Sequence, residues 1–554
     1  MKRIFKTGLA AACTMALLVG CGQQKTGTAE KKVFEGATAI ELSDDGITVE
    51  GSVVGTDEGS AVYTANDIVF YLEGQGFTYG EGTKEEEHSQ EEADAHTVVH
   101  ITQPGTYALS GSLTAGQIAV DLGEDAEEDP EAVVTLILNG VDINCSVAPA
   151  VIFYNVYECG DSDAETAAKD VDTTAAGANV LIADGTINNV TGSYVARIYK
   201  SYELNKAGTE VVDSKKLHKY DGAFYSKMSL NVNGDELGTG VLNITAENEG
   251  LDSELHLTIN GGNINITSGN DGINTNEDEV SVTTVNGGVL NIKVSGETGE
   301  GDGIDSNGWL VINDGTVITQ ACSISGDAGI DSDMGIHING GTVMATGNML
   351  DRISESRQNY AVFSFASSQK GGTVYNMKNE KGDVVFEHKP ENNFTYLIVS
   401  SEELVAGTYT LWSGKTQLAA SAGGAMGGFG GGMPGGMPGG MPGGFGGGME
   451  LPEGMELPEG MEIPEGMQPP TGVESQDGVN QTEADKIDKG FVIPEGQMST
   501  EGMSGGFKGG GYGQRPDGGR GGKGDFGIGQ NGELSTDIVI VDGGNYFSNV
   551  TVAE

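Results

Sequence analysis

Four short phrases carry the side chains best able to do chemistry: Glu249-Gly250-Leu251-Asp252-Ser253, Asp271-Gly272-Ile273-Asn274-Thr275, Asp302-Gly303-Ile304-Asp305-Ser306 and Ala328-Gly329-Ile330-Asp331-Ser332. Side chains alternate between the faces of an extended strand, so placing Leu251, Ile273, Ile304 and Ile330 inward puts Asp252, Asn274, Asp305 and Asp331 outward. Paired side by side, the phrases would string these groups into a file at a spacing of about 4.8 Å. Two carboxylates that close repel by about 1 kcal/mol in bulk water and several-fold more where water is partly excluded. Glu249, Asp271, Asp302, Asp327 and Asp333 crowd the same ground. A cation should therefore sit there, and hard oxygen donors on glycine-rich backbone suit calcium. The expected ligands are Asp252, Asp271, Asp302, Asp305, Asp327 and Asp331. No phrase has EF-hand spacing, and Asp and Asn also gather in turns because they tolerate turn geometry; the charge crowding favours calcium.

Trp309 lies four residues before Asn313, an outward position where a large aromatic can stack on a sugar ring. His256 holds the equivalent place before Asn260, so Trp309 and His256 are the expected carbohydrate-binding residues, with plain surface packing as the alternative. No catalytic residue is expected. The seven histidines show no HExxH spacing, and neither a Gly-x-Ser-x-Gly elbow nor a phosphate loop occurs. Carboxylate pairs at glycosidase separations arise by accident in any acidic file.

The elements that must position these residues follow from a repeat. Each phrase precedes a short apolar strand and a turn beginning at Asn260, Asn286, Asn313 or Asn339, so the turns recur at a nearly constant interval. Asn233 extends the series by one. Units this short, without helical periodicity, cannot bury a core alone and are best satisfied by stacking as coils of a β-solenoid. The third and first residues before each turn should face inward: Leu257 and Ile259, Thr283 and Val285, Leu310 and Ile312, Ile336 and Ile338. The turn asparagines should stack as a ladder.

Across 554 residues, 29 basic and 81 acidic side chains give a net charge of −52, which argues against nucleic acid or an anionic membrane surface as partner. With 91 glycines, few aromatics and 37% hydrophobic residues, turn-rich β-structure and low complexity are expected rather than one conventional core. Residues 1–21 read as a lipoprotein signal: Lys2, Arg3 and Lys6, then an apolar run too short to span a bilayer, then Leu18-Val19-Gly20-Cys21. Cys21 is the expected lipidation site, which implies an extracytoplasmic protein anchored to a bacterial cell membrane. Cys145, Cys159 and Cys322 lack any CxxC spacing and are expected as free thiols.

The domain reading is a tether over 22–36, an N-terminal β-region or cap over 37–131, the parallel β-helix over 132–421, a Gly/Met/Pro-rich insert over 422–532 and a returning strand in 533–554. The segment from Gly192 to Tyr220 interrupts the repeat and should protrude.

Gly105-Thr106-Tyr107-Ala108-Leu109-Ser110-Gly111, Gly116 to Asp121, Leu138-Asn139-Gly140-Val141 and Asp327 to Gly341 together resemble the clostridial carbohydrate-binding domain family. That resemblance implies a cell-surface protein binding cellulose or acidic sugars such as polygalacturonate. It also implies an all-β, right-handed parallel β-helix like that of pectate lyases, with calcium along one face. The Gly192 to Tyr220 insertion and Asn274 in place of Asp depart from the pattern. The expected function is thus a monomeric, non-catalytic, calcium-dependent polysaccharide-binding protein. A calcium-dependent lyase is the alternative, and it needs a base: between Gly250 and Gly341 there is one lysine, Lys293, and no arginine, while Arg352 and Arg357 follow. A structural adhesin acting through the insert is the third reading.

Overall fold

Alternating apolar and polar residues produce the strands, and parallel pairing joins them. In Val241–Ala246, Asn263–Ser268 and Val289–Val294, Leu242, Ile264 and Leu290 are buried in register, as are Ile244, Ile266 and Ile292. Between them Asn243, Asn265 and Asn291 align on the opposite face. The computed structural model describes residues 33–70, 87–160, 162–196, 198–208, 211–218, 220–423 and 532–553. Cys21, the signal segment and nearly all of the expected insert lie outside these residues.

The protein is nearly all-β, with 48% strand and 3% helix. The central repeats each contribute three strands, and each strand pairs with its counterpart in the next repeat. The first ladder runs through Val151–Phe153, Gly222–Ser226, Glu249–Ser253, Ile273–Thr275 and Ile304–Ser306. The second joins Ala178–Ile182, Leu230–Gly234, Leu257–Ile259, Val282–Val285, Trp309–Ile312 and Gly335–Ile338. The third runs from Ile187–Gly192 to Thr342–Gly347. All eight residues expected inward before the turns are buried.

The turns behave as their composition requires. Asn260 donates to Asn233, Asn286 to Asn260, Asn313 to Asn286 and Asn339 to Asn313, at 2.9–3.0 Å. Two residues after each donor, Gly262, Gly288, Gly315 and Gly341 hold positive φ, in the left-handed region that glycine adopts without penalty. A second amide ladder links Asn291 to Asn265, Asn265 to Asn243 and Asn243 to Asn189.

Strands before residue 131 enter the same ladders. Thr97–Ile101 and Gly116–Val120 run parallel with Val151–Phe153 through successive pairings, and antiparallel Val62–Ala65 ends that sheet. The interruption forms a separate antiparallel hairpin, Ile198–Leu204 with Val211–His218. At the other end Phe394–Ser400 pairs antiparallel with Thr342–Gly347 and closes the parallel series. Beyond it a mixed region has its own core, including Phe363, Tyr375, Phe394 and Phe547, and Gly544–Val552 pairs parallel with Tyr360–Gln369 and antiparallel with Thr416–Gly423. Cys145, Cys159 and Cys322 are free thiols. No described helix is long and apolar enough to cross a membrane.

Candidate metal centre

Register places the acidic groups. In the first ladder Leu251, Ile273 and Ile304 pair on one face, and Tyr225, Asp252, Asn274 and Asp305 pair on the other. The Asp331 amide donates to the Ile304 carbonyl and so continues the series. The file exists, but it is not exposed: Asp252, Asn274, Asp305 and Asp331 are 0–3% accessible. Near the start of the first three phrases stand Glu249, Asp271 and Asp302, also buried. Two acidic files thus flank the glycine row. Those glycines are required: a Cβ on Gly272 would lie 2.1 Å from Ile292 Cγ2 and 2.6 Å from the Gly303 carbonyl oxygen.

The carboxylates divide into two roles. Asp271 accepts from the Asp302 amide at 2.7 Å, Asp327 from the Gly301 amide at 2.8 Å, and Asp252 from the Asn276 side chain. These three bind one repeat to the next, which their expected role as metal ligands did not include. Asp302, Asp305 and Asp331 converge, each offering an oxygen within 4.8 Å of the others, with all three residues buried. Asp302 also accepts from the Ala328 amide. At that separation each pair of charges repels by about 3 kcal/mol at an effective dielectric near 20. Beside them, Asn274 turns its amide nitrogen to Glu249 Oε1 on the preceding strand, at 3.1 Å. Its Oδ1 is buried without a hydrogen-bond partner, on the strand that pairs with Asp305. An acceptor with no donor, next to three buried carboxylates, is an arrangement of hard oxygens that suits a divalent cation such as calcium.

Upstream on the same face the chemistry changes. Tyr225 donates to Glu254 at 2.8 Å and packs edge-on against Tyr220, which packs likewise against Tyr154. Burial, then the charges of Glu254 and Asp252, push the Tyr225 hydroxyl far above its usual range, so it remains a donor.

The expected sugar residues part company. His256, Val282, Trp309 and Gly335 occupy one file of the second ladder. His256 is 1% accessible and accepts from the Val282 amide at Nδ1, with Gly160 against its ring. It offers no face for stacking, which corrects the expectation. Trp309 is partly exposed. The candidate lyase bases are placed too: Lys293 pairs with Glu391 on the third ladder, and Arg352 donates to the Met334 carbonyl.

A fold of long parallel ladders with a buried acidic centre and an outward aromatic defines a class of all-β proteins. The family model for carbohydrate-binding domain-containing proteins matches residues 95–381, more than half of the chain, and the chain belongs to that family. No curated protein matches the sequence. Among solved structures it is similar to the polysaccharide lyase-like protein from C. thermocellum, gadolinium derivative, at 17% identity over 58% of this chain and 92% of that one. The TM-score is 0.29.

Proposed function

We propose that this chain is a non-catalytic, monomeric, calcium-binding protein that holds polysaccharide at a bacterial cell surface, with its ladders wound as a right-handed parallel β-helix and its amino end tethered by lipid at Cys21. Family membership supports carbohydrate as the partner class. The observation that carries the calcium reading is the convergence of buried Asp302, Asp305 and Asp331 beside the unpartnered Asn274 Oδ1. Bound calcium would neutralise this cluster and lower the negative charge that an acidic polymer meets. Asp305 is fixed on the strand face by the ladder and Asp302 by the amide contacts described above, so the residues themselves supply position and charge. With a net charge of −52 the protein repels an acidic polymer. Polygalacturonate binding therefore depends on the cation, in a membrane-bound protein of the clostridial type.

Isothermal titration of calcium into protein lacking residues 1–30 tests this. The wild type should take up calcium and Asp305→Asn should lose at least about tenfold in affinity. Absence of uptake by the wild type, or equal uptake by the variant, contradicts the assignment.

A further inference from the structure

The second ladder carries a polar groove in a different sheet from the strands of the acidic phrases. On its outward face Asn179, Asn231, Thr258 and Thr284 form one file, and the turn asparagines Asn233, Asn260 and Asn286 form the next. The segment containing Asp172, Thr173 and Thr174 stands over the first file as a wall, leaving a groove of about 270 Å³. Hydrogen bonds fix that wall. Thr173 Oγ1 lies 2.8 Å from Asn231 Oδ1 and 2.7 Å from Thr258 Oγ1, and Asn231 Nδ2 donates to the Thr173 carbonyl at 2.7 Å. The groove is thus built before any ligand arrives.

We infer that this groove is a binding site for a neutral polysaccharide chain, laid across the strands and ending against Trp309. The inference rests on the carbohydrate-binding reading but not on calcium. Each side-chain amide has two N–H donors and an acceptor oxygen with two lone pairs. The turn ladder uses one N–H and one lone pair of Asn260 and of Asn286, and both residues are exposed. What remains is a row of donors and acceptors repeating at the strand spacing, which matches a ligand rich in hydroxyl groups. A cavity lined so largely by amides and hydroxyls does not suit an apolar ligand. Its one charged lining residue is Asp172, whose carboxyl is held below the usual range by hydrogen bonds from the Thr174 side chain and amide. An anionic sugar would meet that charge without a basic partner in the lining. Thr284 pairs with Val311, and Trp309 lies two residues before Val311 on the same face, so the indole stands one strand beyond the groove. An aromatic ring there can stack on a sugar face.

The test is calorimetric binding of cellohexaose, in chelator and in millimolar calcium, with polygalacturonate measured on the same proteins. Wild type should bind cellohexaose equally in both conditions. Asn286→Ala and Trp309→Ala should each weaken it by about tenfold or more, and Thr284→Arg, which fills the groove, should abolish it. Asn265→Ala breaks the corresponding amide ladder on the neighbouring strands and should bind as wild type does, which separates ligand contact from loss of ladder integrity. Failure of wild type to bind cellohexaose, undiminished binding by the groove variants, or equal loss in Asn265→Ala would each overturn the inference. Calcium-dependent binding of polygalacturonate in that event would leave the metal-centre reading standing; cellohexaose binding without it would do the reverse.

Discussion

At the scale of single residues, the acidic groups can be found from sequence but not sorted. Alternation and repeat spacing place Asp252, Asn274, Asp305 and Asp331 in one file, and the pairing register agrees for the first three. Which carboxylates converge depends on side-chain direction and on the amides of the next repeat, and pattern alone carries neither. Asp271, Asp327 and Asp302 each accept from a backbone amide, and Asp302, Asp305 and Asp331 meet. His256 departs from expectation for a related reason: its file position is outward, but Gly160, nearly a hundred positions away in sequence, lies on its ring. A different histidine makes a prediction. His388 is buried, its Nε2 has no hydrogen-bond partner, and desolvation lowers its pKa from 6.5 to about 4. The unfolded chain therefore binds a proton that the folded protein refuses between those values. Stability should fall as pH drops from about 6.5 toward 4, by up to about 3 kcal/mol. Denaturant unfolding across that range should show a shallower acid loss for His388→Phe than for wild type; parallel curves would count against the assignment.

At the scale of elements, the repeat is legible because its period is written twice, in the Gly-aliphatic phrases and in the turn asparagines. The eight inward residues and the turn ladder follow from alternation alone. The Asn189, Asn243, Asn265 and Asn291 ladder is equally present in the sequence, the last three at positions between buried aliphatics, but no turn marks it. The groove wall is not legible, since Thr173 reaches Asn231 and Thr258 across 58 and 85 residues. Close packing of repeats makes a sharp prediction at the glycine row. Gly272→Ala would drive a Cβ into a backbone carbonyl and a buried isoleucine, neither of which can withdraw without separating two repeats. A loss of about 3 kcal/mol or more is expected, at the severe end of overpacking effects. Thermal unfolding measures it, and a barely altered melting temperature would show that the ladders are looser than described.

At the scale of the whole molecule, excess negative charge and carbohydrate binding are reconciled by separating a buried acidic centre from a polar groove. The first ladder concentrates carboxylates where a cation can gather them, and the second presents amides, hydroxyls and Trp309. Strands on either side of the Gly/Met-rich stretch, Thr416–Gly423 and Gly544–Val552, pair with one another, so that stretch leaves and re-enters a single sheet. The measurement that bears most directly on the proposed function is affinity electrophoresis of the protein in gels containing polygalacturonate, run with millimolar calcium and again with excess chelator. Calcium should retard the wild type strongly, and chelator should restore free migration, with Asp305→Asn migrating freely in both. Equal retardation in calcium and chelator, or no retardation in either, would contradict a calcium-dependent polysaccharide-binding protein.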